Sequence, residues 1–387
     1  MPGFTQRVAE ATPDTRDRAV DGLRALAILG VVGGHWLVTA LTARPDGSLR
    51  IDSPLRYLGG LAPASWLLQT LGLFFLVGGF AAARSASTHS SLWVRRRLVR
   101  LGAPVLAATT ALTAALAVAA LAGVPGGTLR TWTVLFVQPL WFIAVYAAVT
   151  ALTPYTMRLD QRLGALAALP FAAAVAVVDL FRYGPWADAV PASLGYLTVL
   201  PAWLFTYQLG VAWARGRLGR RAAWGLLGGG AALFAALLGW LDYPASMVGV
   251  PGADRSNSSP PSLLVPALAA VQAGAALLLR ERFDALLRRR ARLWAAVAAV
   301  NLNAMRVFCW HLTAVVVLCL AVRAHGLTDR PAAHSWVLAR AAWLPVLAAV
   351  LAGLVALARR IEALTDAHRM LAGAVAMAFA AYALTVY

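Results

Sequence analysis

Apolar stretches long enough to cross about 30 Å of hydrocarbon recur along the chain. They lie near residues 20–41, 62–83, 101–122, 132–153, 163–181, 193–214, 222–241, 262–279, 294–322, 335–357 and 370–387. This pattern predicts an all-α integral membrane protein, a bundle of about ten or eleven transmembrane helices. The polar positions between the stretches test the count. With the N-terminus inside, the inner segments hold 23 arginines and the outer segments 8, while Arg24, Arg306 and Arg340 lie within spans. Adding or dropping one span in the middle scrambles this alternation. The positive-inside rule therefore predicts a cytoplasmic N-terminus and supports the count through the tenth span.

Composition agrees. The chain has 387 residues, 60% of them hydrophobic and 13% charged. That charged share is about half the usual one for a soluble domain, and the mean hydropathy is +0.70. A net charge of +18 needs no nucleic-acid partner here, because cytoplasmic loops of membrane proteins collect positive charge. The expected location is the plasma membrane. Every basic position is Arg, none Lys, which fits a GC-rich bacterial genome. Cys309 and Cys319 lie ten residues apart in one apolar segment, too far along a helix for a disulfide. No CxxC or His/Cys cluster argues for a metal.

The expected layout has a disordered cytoplasmic N-terminus over 1–18 and a transmembrane domain over 19–357. Residues 358–387 form a cytoplasmic loop and an extra C-terminal helix. Arg16 and Arg18 precede an apolar run too long for a signal peptide, and no small-residue cleavage site stands out. The run reads as an uncleaved first span. The longest outer loop, 242–261, is rich in Gly, Pro, Ser and Asn. It reads as a connector, or as a segment that re-enters to line an acceptor site.

The first span carries the sharpest chemistry. Within DGLRALAILGVVGGHW, Asp21 to Trp36, two basic residues interrupt the apolar run, Arg24 and His35. Eleven residues turn about 1100° on an α-helix, so both lie on one face, roughly 16 Å apart along the axis. Arg24 then sits near one surface and His35 well inside. Such a stripe is costly in lipid and should face the bundle interior or a wet cavity. A neutral imidazole can take a proton from a hydroxyl and return it to a leaving group. Arg24 is a fixed cation suited to a phosphate or carboxylate, and Asp21 is placed to hold it as an i, i+3 pair. The plainer reading has Arg24 snorkelling to the headgroups and His35 satisfied in the core.

Other stretches add candidates. In RRRLVRLGAP, Arg97 and Arg100 share a helix face and suit a phosphorylated cytoplasmic donor, whereas Arg95 and Arg96 read as anchors on anionic lipid. In FFLVGGFAAARS, Gly78 and Gly79 allow close backbone approach to a helix or a substrate. In QPLWFIAVY, Pro139 and the aromatics suit an interface belt. NLNAMRVFCWHL places Asn301, Asn303, Arg306 and His311 inside one apolar span, a functional interior setting, although interhelical hydrogen bonds alone could explain the two asparagines. His89, His325, His334 and His368 fall in loops and read as structural.

These pieces together resemble the membrane acyltransferase-3 family from about Arg18 to about Leu357. The most specific motif is Arg, ten residues, His on the first span, here Arg24 and His35. FFLVGGF, RRRLVRLGAP, Leu140–Phe142 (LWF) and Trp310–Leu312 (WHL) support it. The pattern is closest to an actinobacterial branch. The resemblance implies about ten helices, a cytoplasmic acyl-CoA donor, and transfer of an acyl group, often acetyl, to a hydroxyl. The acceptor would be a carbohydrate, a lipid-linked molecule or a small molecule outside the cytoplasm. It implies catalytic roles for His35 and Arg24, and substrate contacts from Arg97, Arg100, Trp141, Arg306 and His311. Acyl-CoA (acetyl-CoA) would be a substrate, with no permanently bound cofactor. His35 would act as base or as transient acyl carrier. Two departures stand out: Gly78 replaces a common Ser, and Val145 and Tyr146 stand where a Glu often follows LWF. The competing reading is a transporter or lipid flippase with Arg24, His35, Arg306 and His311 along a polar path. A structural or sensory membrane protein is a third.

Overall fold

A computed structural model describes residues 3–86 and 90–386, so His89 and residues 1, 2 and 387 lie outside the described residues. The chain opens with α1 (Phe4–Glu10) and α2 (Arg18–Val38), then a hairpin of β1 (Ala40–Ala43) and β2 (Leu49–Asp52). Next come α3 (Ala64–Leu68), α4 (Leu71–Ser85), α5 (Ser90–Leu121), α6 (Gly126–Val137) and α7 (Leu140–Ala151). They are followed by α8 (Thr153–Leu163), α9 (Leu169–Tyr183), α10 (Val199–Ala214), α11 (Arg220–Trp240) and α12 (Leu264–Arg289). The last four are α13 (Ala291–Leu302), α14 (Ala304–Ala321), α15 (His334–Ala367) and α16 (Arg369–Val386). Among the described residues, ten helical segments are long and apolar enough to cross a membrane. The protein is an all-α multi-pass membrane protein.

Contacts divide the chain into two compact units. One comprises 1–31, 62–94 and 148–302; the other comprises 32–61, 95–147 and 303–387.

In the first unit, α4 and α10 meet backbone to backbone. A Cβ on Gly79 would collide with the Tyr207 carbonyl, and one on Gly210 with the Leu76 carbonyl. Glycine at both sites lets the axes approach, as membrane helices favour. Leu76, Val77, Phe205, Leu209 and Trp213 fill the surrounding core. Of the two uses open to Gly79, the structure adopts helix packing.

Among the described residues, Phe4–Glu10 form α1 within the stretch expected to be disordered. Val8 of α1 packs on Ala25, Leu287, Trp294 and Val297, and the Trp294 indole donates to Thr12 Oγ1 at 2.9 Å. Asp284 of α12 accepts from the backbone N–H groups of Arg18 and Ala19 at 2.9 and 3.2 Å. It thereby satisfies donors that a helix start leaves open. A polar composition concealed one apolar residue with a prepared seat.

The 242–261 loop folds back onto this unit as a cap. Asn257 is fully buried; its amide donates to the carbonyls of Pro244 (2.5 Å) and Ser246 (2.9 Å) and accepts from Ser262 Oγ (2.6 Å). The Trp66 indole donates to the Ala245 carbonyl, and the Met247 N–H to Ser65 Oγ.

In the second unit, α6 pins the hairpin: Thr128 Oγ1 accepts from Leu49 N–H at 2.9 Å, and Thr131 Oγ1 donates to the Leu49 carbonyl at 2.8 Å. Its turn is closed by Asp46, whose carboxyl the Ser48 hydroxyl and N–H hold below the usual carboxylate range.

Three expectations about element limits change. The stretch 294–322 is two helices, α13 and α14, broken at Asn303, which sits near the bridge region at φ −113°, ψ 10°. Pro139 interrupts the fourth span, which is two helices, α6 and α7. His334 opens α15 instead of lying in a loop. The final apolar segment forms α16, with an apolar stretch of Leu371–Leu384 that is shorter than the ten spans.

Candidate functional site

Within the second unit, two histidines far apart in sequence meet. His35 Nδ1 lies 2.7 Å from His311 Nε2. The ring centroids are 5.0 Å apart and the planes 14° off parallel, so the rings meet edge to edge through these two nitrogens. His311 is fully buried, and its Nδ1 lies 2.9 Å from the Phe308 carbonyl oxygen. Both ring nitrogens of His311 are thus engaged, so neither is open to a substrate. His35 is half-buried. The Trp36 indole, next in sequence, donates to the His311 carbonyl at 2.8 Å, which ties α2 to α14 beside the pair. Phe308 stands edge-on to His311 at 6.5 Å and packs against Phe142 at 4.9 Å. The LWF motif therefore contributes a wall behind the histidines.

His35 lies in the last turn of α2, which ends at Val38, rather than deep inside a longer helix. The reason is Arg340, a residue that sequence reasoning placed within a span and gave no role. Its side chain is fully buried. Its guanidinium donates to the carbonyls of Trp36 (2.7 Å), Thr39 (2.7 Å) and Gly326 (3.2 Å). Two of these are carbonyls left open where α2 ends, the negative pole of the helix dipole. Among the described residues no carboxylate pairs with Arg340. The available signal was a third arginine inside an apolar span, beside Arg24 and Arg306. Gly326 adopts φ +82°, and a Cβ there would press on the Arg340 backbone at 2.8 Å.

In the first unit, Arg24 is half-buried on α2. Among the described residues no hydrogen bond or ion pair engages its guanidinium. Asp21, expected to hold it, is taken instead by Arg16, with contacts of 2.5 and 2.8 Å. Arg16, just ahead of α2, reaches forward to engage both carboxylate oxygens. Arg24 and His35 share one helix, separated by the rise of eleven residues, roughly 16 Å.

The remaining candidates divide. Arg97 is half-buried, and Arg95, Arg96 and Arg100 are exposed along α5. Trp141 is 40% exposed on α7. Arg306 is held by Glu362 through a two-point ion pair, 2.9 and 2.5 Å, with Asn303 Oδ1 a further acceptor at 3.3 Å. Arg359 donates to the same Asn303 oxygen at 2.9 Å. Asn303 thus stands just before α14 and gathers two guanidinium groups. Asn301 donates to the Asp21 carbonyl at 2.8 Å. Cys309 and Cys319 are buried free thiols. A small pocket in the first unit, lined by Gln69, Trp203, Met247 and Gln272 among others, contains neither histidine.

A half-buried imidazole backed by a saturated histidine, on a helix that also carries an unengaged guanidinium, can move a proton and attract an anion. Comparison with family profiles gives a match to the acyltransferase-3 profile, described as an acyltransferase domain, over residues 17–359. Comparison with curated proteins finds no match, and neither does comparison with solved structures.

Proposed function

From the premise that this chain belongs to the acyltransferase-3 family, and is thus a membrane acyltransferase, we propose that it moves an acyl group from cytoplasmic acyl-CoA to a hydroxyl outside the cytoplasm. The group is acetyl, and the acceptor is a carbohydrate or a lipid-linked or small molecule. Family membership sets aside the transporter reading.

One observation carries the assignment of chemistry: the His35 ring is locked by His311 at 2.7 Å. A general base must be oriented as well as basic. In the direct route His35 removes the acceptor hydroxyl proton as the oxygen attacks the thioester carbonyl. The C–S bond then breaks, and the leaving thiolate takes the proton from the imidazolium. In the two-step route the imidazole nitrogen attacks the thioester carbonyl and the C–S bond breaks to release the CoA thiolate. The acceptor hydroxyl then attacks the acyl-imidazolium, the C–N bond breaks, and the hydroxyl proton neutralises the thiolate. Arg24 would hold an anionic group, since its guanidinium is otherwise unengaged and a half-buried cation in a span calls for a partner. Arg97 and Arg100 would meet the CoA phosphates at the inner surface.

The experiment is acyl-group analysis of glycans, lipids and secondary metabolites from cells with the protein, without it, and with His35→Ala. An acyl group lost in both the deletion and His35→Ala supports the proposal. An acylation profile unchanged by the deletion overturns it.

A further inference from the structure

Resting on the reading of His35 as the reacting imidazole, we infer that His311 is a positioning residue that fixes the tautomer of His35, leaving His35 Nε2 as the nitrogen that meets the substrate. A carbonyl oxygen only accepts, so the 2.9 Å contact between His311 Nδ1 and the Phe308 oxygen requires the proton to be on Nδ1. A neutral imidazole carries one N–H. His311 Nε2 is then a bare lone pair, and at 2.7 Å it accepts from His35 Nδ1–H. The neutral His35 ring has no second proton, so its Nε2 is left as a lone pair. The direction runs one way: Phe308 carbonyl, His311, His35, substrate.

The surrounding contacts hold that direction. Phe308 and His311 sit one turn apart on α14, so helix geometry fixes the Nδ1 contact. The Trp36 indole on the His311 carbonyl and the edge-to-edge contact of the two near-parallel rings keep α2 and α14 in register. His311 is fully buried, so water does not compete for Nε2. When His35 Nε2 takes the acceptor proton, the imidazolium keeps its Nδ1–H bond to His311. When it gives that proton to the leaving thiolate, the pair returns to its starting state. Only the acceptor's proton enters and leaves the pair, through His35 Nε2, and His311 keeps its own proton throughout. A neutral acceptor behind the base thus plays the orienting part that fixes which nitrogen reacts.

The test uses full-length protein in native membranes, with acetyl-CoA as the donor probe and acetyl transfer to membrane material as the readout. His311→Leu removes the acceptor. His311→Gln can place its amide oxygen where Nε2 stood. The expected result is a kcat at least about 100-fold lower for His311→Leu, the scale of a misdirected general base. The KM for acetyl-CoA should stay within about threefold, and His311→Gln should recover at least about a tenth of wild-type kcat. His311→Leu with near-wild-type kcat, alongside an inactive His35→Ala, overturns the tautomer assignment and leaves the proposed function standing. An active His35→Ala removes His35 from the chemistry, and the tautomer assignment with it, while acetyl transfer itself still stands. If His311→Leu fails to accumulate, the wild type decides: nitrogen-15 resonances of histidine-labelled protein in vesicles should show His35 protonated at Nδ1. Protonation at Nε2 overturns the inference.

Discussion

Arg340 donates to the carbonyl of Trp36, the residue that follows His35, at 2.7 Å. A guanidinium on the tenth span therefore fixes the backbone that presents the histidine from the first. Its second contact, Thr39, lies just beyond the helix end. Arg340→Met would leave these carbonyls without their donor, at roughly 1–3 kcal/mol for each buried acceptor left unmade. Arg340→Lys keeps the charge but has no planar fork to span three acceptors. Both variants should lower the melting temperature in detergent, with Lys intermediate, and acetyl transfer should fall with them. Unchanged melting in Arg340→Met would mean these contacts contribute nothing to stability.

Arg24 should behave in the opposite way. With no protein partner among the described residues, its loss should leave the melting temperature within a degree or two of wild type, as for changes away from packed or paired features. Arg24→Ala should nonetheless abolish acetyl transfer, and Arg24→Lys should recover part of it. A large drop in melting temperature for Arg24→Ala would argue for a structural anchor.

Arg306 and Glu362 should couple. Removing one partner leaves the other charge half-buried and uncompensated. Arg306→Met should destabilise more than the double variant Arg306→Met, Glu362→Gln. Neighbouring pairs show coupling of about 0.5–3 kcal/mol in a double-mutant cycle. Additive losses would place Arg306 outside this network and return it to the substrate contacts expected from sequence.

If Arg97 and Arg100 hold the donor phosphates as proposed, each contributes a charge-assisted hydrogen bond of about 1.5–3 kcal/mol. Arg97→Ala or Arg100→Ala should raise the acyl-CoA dissociation constant roughly tenfold to a hundredfold, with Lys only partly restoring it. Arg95→Ala and Arg96→Ala are the controls. Direct acyl-CoA binding to purified protein reads all of these. Equal affinity across the four Ala variants would move the donor site elsewhere, with the 280–292 arginines next.

Orientation is open to labelling. The two native cysteines are buried, which gives a quiet background for single introduced ones. Ala253→Cys in the outer loop should react with an impermeant reagent on intact cells, and Arg289→Cys should react only after lysis. Labelling of Arg289→Cys from outside would reverse the topology.

Hydropathy and arginine placement made the spans legible, because lipid imposes length and charge asymmetry on each segment separately. Arg24 and His35 were legible because both lie on one helix. The partners were not. His35 meets His311 across 276 positions and Arg340 reaches Trp36 across 304, and helical periodicity fixes a face without saying what stands opposite. Arg340 was visible as a charge in an apolar span, yet only the end of α2 explains it. The break at Asn303 was hidden because both flanking helices are apolar, so a hydropathy profile runs through it.

The α4–α10 crossing has a genetic consequence. At Gly79 and Gly210 the opposing atoms are main-chain carbonyls, which no substitution can trim. A damaged packing contact between side chains can be repaired by shrinking the neighbour. Here a selection for revertants of Gly79→Ala should yield the original glycine and no compensating change at Tyr207, because the obstructing oxygen is common to all twenty amino acids.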